Sequence, residues 1–329
     1  MSVTYEAVLD VSEDSVLFLS GLLHPERVRR GTRKDTRALG TYKQAVMVLR
    51  WFFDDTRMTQ LARDNGIGKS TAYQYRDEGI AVLAARKPSL PGVLLAAKAA
   101  GHTHATVDGT LIHTDRISTP GPTPRVDLWR RGKHSHHGGN IQEAAQMGGF
   151  DQRAEVRVDA SQGGGARRPG LGRRPTTTQR GAARSSRAGP AELRGLQVVS
   201  APDGWPLWTS DVRPGREHDT TAARADPVLL QRIQDWIGDG APALADLGYE
   251  GEPEVFTIPF KKPKGGELTV DQQAFDAVHG ALRYLGERAN SLLKTTFKAL
   301  RHHRGCPWRL GTIVAAALVL LHHERNRTT

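Results

Sequence analysis

His104-Ala-Thr-Val-Asp-Gly-Thr-Leu-Ile-His113 is a run of strand formers interrupted by one carboxylate, Asp108, and one glycine, Gly109. A lone acid in a short buried strand is unfavourable unless its charge is paired or binds something. Two later stretches supply partners. Ala243-Leu-Ala-Asp-Leu-Gly-Tyr249 is a second apolar run, with Asp246 near its end. Arg283-Tyr-Leu-Gly-Glu-Arg-Ala-Asn-Ser-Leu-Leu-Lys294 reads as a helix, with Glu287 one turn after Arg283. Three acids on two strands and a helix make a candidate pocket for a divalent metal. An order of strand, strand, hairpin, helix, strand, strand and helices predicts a mixed α/β layer with helices packed on a sheet.

The period changes on the N-terminal side of this core. Ser15 to Leu23 and Gln44 to Phe53 carry apolar residues at helical spacing, and a basic linker, Arg27 to Arg37, lies between them. Either a solvated loop or contact with DNA explains that linker equally well. Thr59 to Asn65 reads as a short helix, Gly66-Ile-Gly68 as a tight corner, and Lys69 to Glu78 as a second helix with Ser70 as its N-cap. Ala62 places a small side chain where the two helices cross. The pattern is that of a helix-turn-helix over 58–84. Its second helix offers Lys69, Ser70, Thr71, Gln74 and Arg76, residue types that contact bases or phosphates. Lys87 to Pro91 marks a boundary, so residues 1–90 are expected as an all-helical DNA-binding domain and 100–325 as the catalytic domain.

Downstream of Asp108, Pro120 to Pro124 reads as a turn, Asp127 to His137 as a basic, histidine-rich strand, and Gly139 to Gln142 as the start of another. Apolar periodicity then vanishes from 143 to 196, where Arg, Gly, Ala, Ser and Pro dominate. Such a segment has too few apolar residues for a packed core, and it is expected as a disordered interruption of the catalytic sheet. Three origins fit it: an out-of-frame reading of a GC-rich gene, an insertion, or an arginine-rich DNA-binding arm. Gln197 to Asp211 reads as a hairpin about Pro202-Asp-Gly204, and His218 to Arg224 as a helix capped by Asp219 or Thr220. Val255 to Phe260 reads as a further strand, and residues from Asp271 onward as helices.

The chain has 329 residues, a formal net charge of +11 and a pI of about 10.0. That excess favours a polyanionic partner, nucleic acid before membrane. A single cysteine, Cys306, excludes a disulfide framework and a multi-cysteine zinc site, and fits a reducing compartment. The start of the chain lacks the pattern of a signal peptide. The longest apolar run, Ile313 to Leu321, is too short to span a bilayer and reads as a buried helix. A cytoplasmic, nucleoid-associated protein is expected.

Several motifs together resemble a known family. They are Val107-Asp-Gly-Thr110, Gly132-Lys133 to Gly138-Gly-Asn140, Pro214-Gly to His218-Asp219, Ala245-Asp-Leu-Gly-Tyr-Glu-Gly251, and the set Arg283, Glu287 and Lys294. In this order, behind a helix-turn-helix, the chain resembles the DDE transposases of the insertion-sequence-five group, related to Harbinger-type DDE endonucleases. Gly280 stands where that family often has Tyr, and Leu247 where it usually has a basic residue. The resemblance implies a ribonuclease-H-like mixed sheet with flanking helices. It implies Asp108, Asp246 and Glu287 as catalytic ligands of Mg²⁺, with Mn²⁺ as a substitute, and Lys133, Arg283 and Lys294 near DNA. Arg283 has pairing with an acid as its alternative role. The implied partner is double-stranded DNA, bound by a homo-oligomer, and the implied activity is cleavage and strand transfer at element ends. Two other readings stay open: a nuclease of the same class without strand transfer, and an impaired remnant that only binds DNA. His134, His136 and His137 fit a solvated DNA-facing strand better than a metal cluster, because Mg²⁺ takes oxygen ligands.

Overall fold

The computed structural model describes residues 8–114, 192–214 and 217–329. Five helices come first: α1 (Glu13–Arg29), α2 (Thr41–Asp54), α3 (Met58–Asp64), α4 (Lys69–Ala84) and α5 (Leu90–Ala99). After them come β1 (Ala105–Thr114), β2 (Glu192–Ser200), β3 (Pro206–Thr209), β4 (Arg213–Pro214), α6 (Asp219–Arg224), α7 (Pro227–Gly238), β5 (Ala243–Leu244), α8 (Val270–Thr296), β6 (His302–His303) and α9 (Leu310–Glu324).

The two helices expected around Gly66 are α3 and α4, the second running on past Glu78 to Ala84. Gly66 has φ +62°, a left-handed conformation that glycine adopts without a Cβ penalty. Ala62 is buried, as a crossing point between helices requires. The cap differs from expectation. Gly68 is the N-cap of α4 and offers no side-chain bond, so Ser70 lies inside the first turn. The basic linker also differs. Arg27 and Arg29 complete α1. Arg27 donates to the Leu39 carbonyl (2.9 Å) and to Gln44 Oε1 (2.6 Å), and Arg37 pairs with Glu78, a buried acid that also accepts from Gln44 Nε2 (2.9 Å). Part of the run therefore neutralises a buried carboxylate, which would otherwise be strongly unfavourable. Pro91, read as a breaker, sits in the first turn of α5, where a missing N–H costs nothing, and Ser89 caps that helix through the Gly92 N–H at 3.2 Å.

The sheet runs β3-β2-β1-β5, with β4 added to β2 and β6 to β1. β1 and β2 are antiparallel from Thr106↔Ser200 to Thr114↔Glu192. The strand thus begins at Glu192, and residues 192–196, expected to be part of the patternless segment, belong to the sheet. Their pairing is with β1, a distant strand, so local composition carries no sign of it. β2 and β3 form the expected hairpin, with Gly204 at φ +79° in its turn. β5 lies parallel to β1. The strand expected at 255–260 reduces to one bridge, Thr257 to Leu244; Pro259, without an N–H, cannot extend the ladder. Lys133, His134, His136, His137, the turn at 120–124, the strand at 139–142 and residues 143–191 lie outside the described residues.

α9 is buried almost throughout, as its apolar sequence suggests. It packs against α4 and α1 and also against β3 and α8. The N-terminal helices and the sheet therefore share one apolar core rather than two. No helix among the described residues is long and apolar enough to cross a membrane.

Candidate active site

Alternation along β1 positions the site. Successive side chains of a strand face opposite ways, so Thr106, Asp108 and Thr110 share one face. That face meets α8. Thr106 lies against Gly286, Asp108 bonds to Arg283 and Asn290, and Thr110 bonds to Lys294. Two strand residues span about 6.8 Å, and four helix residues span about 6 Å. Residues 106, 108 and 110 therefore stay in step with 286, 290 and 294 along a parallel helix. A Cβ on Gly286 would lie 2.4 Å from Thr106 Cγ2, so only glycine lets the helix approach this closely. Glu287 is the next residue.

β5 supplies the second acid. Its register, Ala105↔Ala243 and Thr106↔Leu244, places Asp246 level with Asp108 just beyond the strand end. Asp246 is also a cap: its Oδ1 accepts from the Gly248 N–H at 2.9 Å and starts the short 3-10 turn Leu247–Tyr249. The Asp-Leu-Gly-Tyr motif is thus both a turn and the carrier of an acid beside Asp108.

The acids are held by cations and an amide. Arg283 Nη1 lies 3.3 Å from Asp108 Oδ1, and its Nη2 donates to Glu287 Oε1 at 2.8 Å. Asn290 Nδ2 donates to Asp108 Oδ2 at 2.7 Å. Lys294 is half-buried and donates to Thr110 Oγ1 at 2.7 Å. Burial pushes the Asp108 carboxyl up to about 7; Arg283 opposes the rise, and the charges of Asp246, Glu287 and Asp219 add to it. Burial lowers the Lys294 ammonium, partly offset by Asp108. Of the two roles open to Arg283, the structure displays the ion pair.

Asp219 corrects an expectation. Neither it nor Thr220 caps α6; the N-cap is His218, without a side-chain bond. Asp219 instead fills the space beside two glycines. A Cβ on Gly109 would sit 2.8 Å from its Oδ1, and a Cβ on Gly248 2.7 Å from its Oδ2. Its carboxylate therefore lies between the backbone next to Asp108 and the backbone next to Asp246. Tyr249 is fully buried, and its phenol oxygen has no hydrogen-bond partner among the described residues. Its pKa is raised by burial and by the charges of Asp219, Asp108 and Asp246. Asn290, Asp219 and Tyr249 are site residues that the sequence did not single out as such. For Asn290 a signal existed: it lies three residues after Glu287 and seven after Arg283, on the same helical stripe.

The donor set is all oxygen and rich in negative charge, which fits a hard divalent cation in its chemistry. Among the described residues no three acidic, imidazole or thiol side chains converge tightly enough to hold one ion. Arg283 stands between Asp108 and Glu287 instead.

The expected DNA-reading residues divide. Lys69, Ser70 and Gln74 are exposed and Thr71 is half-buried. Arg76 is only 8% exposed. Its guanidinium lies over the Trp51 ring (4.9 Å) and the Tyr73 ring (4.8 Å), and donates to Asp77 Oδ1 at 2.7 Å. Those contacts withdraw it from the surface that the other four present.

No curated protein and no solved structure matches the chain. Residues 194–322 match the family model for DDE superfamily endonucleases. The match contains Asp219, Asp246, Arg283, Glu287, Asn290 and Lys294 and stops short of Asp108, which the β1–β2 pairing brings to the same place. From β2 to α9, the chain is therefore similar to DDE superfamily endonucleases, over the stretch that carries two of the three acids.

Proposed function

We propose that this chain is a metal-dependent DNA-cleaving enzyme of the DDE class, a transposase that cuts and joins the ends of an insertion sequence. The observation that carries this reading is the place of Asp108. It lies outside the stretch similar to DDE endonucleases, yet it sits level with Asp246 and is joined to Glu287 through Arg283. An antiparallel β3-β2-β1 sheet with a parallel fourth strand, β5, supports a ribonuclease-H-like core. Exposed Lys69, Ser70 and Gln74, with Thr71, at the uncapped start of α4 support duplex DNA as partner, because free N–H groups and cations both attract phosphate.

Asp108, Asp246 and Glu287 would hold Mg²⁺, or Mn²⁺ in its place. The bound ion supplies an activated water or hydroxyl and stabilises the leaving oxygen. The chain's own residues prepare the site. Asn290 fixes one oxygen of Asp108. Arg283 balances two acids, and its guanidinium is suited to a phosphodiester oxygen once they are otherwise neutralised. Lys294, tied to Thr110, adds positive charge beside the same strand.

The test uses duplex DNA taken from the sequence on either side of the gene, where this reading expects inverted repeats. Mg²⁺-dependent nicking at the repeat ends, followed by joining to a second duplex, is expected from the full chain and lost in Glu287→Gln. Nicking without joining reduces the reading to a nuclease. Binding with neither activity contradicts it.

A further inference from the structure

Asp55 ends α2 in a left-handed conformation (φ +52°), and α3 begins three residues later. The loop between them, the starts of α3 and α4, and the chain around β6 enclose a cavity of about 320 Å³. None of the three acids lines it, nor does Arg283. Part of its lining is apolar and largely planar: Trp51, Met58 and Tyr73, the last of them 38% exposed. The rest is cationic. Arg57, Lys69, Arg76 and Arg304 line it together with a single carboxylate, Asp55. Asp55 takes Arg304 (3.1 Å), and Asp77 takes Arg76 (2.7 Å). Arg57 and Lys69 are exposed and make no ion pair among the described residues. The hydroxyls of Thr56 and Thr59, also in the lining, make no hydrogen bond among them either.

We infer that this cavity binds a single nucleotide, with the base against Tyr73 and Trp51 and the phosphate on Arg57 and Lys69. A purely apolar molecule would leave the two uncommitted cations unused. A bare anion would leave the rings unused. A planar base joined to a phosphate uses both, since aromatic side chains stack on bases and guanidinium and ammonium groups bind phosphate. The volume lies at the lower end of ligand pockets, about 300–1,000 Å³, which suits one nucleotide and excludes a length of duplex. In a duplex both faces of each base are covered by its neighbours. The occupant is therefore a free nucleotide or an unpaired unit taken out of the stack, and a fully paired strand does not supply it. The inference stands apart from the nuclease reading. It uses none of the acids and shares only Lys69 with the surface proposed for duplex DNA.

Calorimetric titration of the full chain with deoxyadenosine monophosphate tests it, beside deoxyadenosine and inorganic phosphate, with circular dichroism confirming the fold of each variant. The nucleotide should bind more than about tenfold tighter than either fragment. Tyr73→Ala should weaken it about five- to hundredfold, the worth of one base stacked on an aromatic ring, and Tyr73→Phe should keep native affinity. Arg57→Gln should weaken it more than about tenfold. Arg63→Gln, exposed on α3 and outside the cavity, should change nothing. Two duplexes then separate the sources. If Tyr73→Ala lowers affinity for a duplex with one unpaired adenosine more than for its fully paired counterpart, the occupant is an unpaired unit of a strand. If it lowers both alike while nucleotide binding is lost, the occupant is a free nucleotide. A nucleotide that binds no tighter than phosphate, or a Tyr73→Ala chain that binds it as the native chain does, overturns the inference.

Discussion

At the scale of single residues, Asp108 decides how the site behaves. Its folded pKa of about 7 stands well above the ordinary carboxylate value, chiefly through burial. A raised carboxyl pKa favours the folded state while both forms hold the proton, and that advantage is lost across the window where only the folded form keeps it. Stability from this group is complete below the unfolded value near 4 and is lost as pH rises through 7. Asparagine cannot ionise. The melting temperature of metal-free protein relative to Asp108→Asn should therefore fall between pH 4 and 7 and level off above. A difference that stays flat across this window would remove the account of Asp108 as a buried acid crowded by other acids. Arg76 teaches a complementary lesson. By type and position it suits DNA contact, but stacking on Trp51 and Tyr73 and pairing with Asp77 occupy it. Sequence gives a residue's chemistry before it gives its partners, and here the partners decide.

At the scale of elements, the contact between β1 and α8 builds the site. Gly286→Val would drive side-chain atoms into Thr106 and into Ser200, whose Oγ lies 3.2 Å from the Cβ position. Overpacking of this kind costs about 1–3 kcal/mol, and the displaced helix carries Glu287, Arg283 and Asn290 with it. Denaturant titration should show the loss of stability, and cleavage should fall further than stability alone accounts for. Gly280→Ala, at a helical glycine with open space, is the control and should be neutral or stabilising. The strand with Asp108, the short strand leading to Asp246 and the helix with Glu287 were legible because each has a local signature: β-formers about one acid, an apolar run ending in Asp-Leu-Gly-Tyr, and acids and bases at helical spacing; that Asp246 itself lies past the strand, capping a turn, was not. Residues 192–196 were not, because their strand exists through pairing with β1. Nor was the role of Asp219, since its meaning depends on two glycines that are distant in sequence and adjacent in space.

At the scale of the whole molecule, the N-terminal helices and the sheet are joined through α9. The boundary near residue 90 is a change of local pattern and not a gap in the core. Binding measurements therefore belong on the full chain, whose α9 covers α4. Duplex affinity should fall steeply with salt through counterion release. Lys69→Gln should weaken all sequences alike, and Gln74→Ala should change which sequence is preferred. Arg76→Gln should lower stability and leave the salt dependence unaltered. Equal loss of affinity in Arg76→Gln and Lys69→Gln, with no loss of stability in the former, would return Arg76 to the DNA-facing surface.

The central claim is that Asp108, Asp246 and Glu287 act together on one divalent-metal site, joined as they are through Arg283 and the register that sets Asp246 beside Asp108. Calorimetric titration of the full chain with Mn²⁺ at pH 8 addresses it most directly, because Asp108 is then ionised in the folded state. Native protein should bind, and Asp108→Asn, Asp246→Asn and Glu287→Gln should each lose more than about tenfold in affinity, the scale of loss seen even for residues that only support metal ligands. Native affinity retained in any of the three would contradict the shared site.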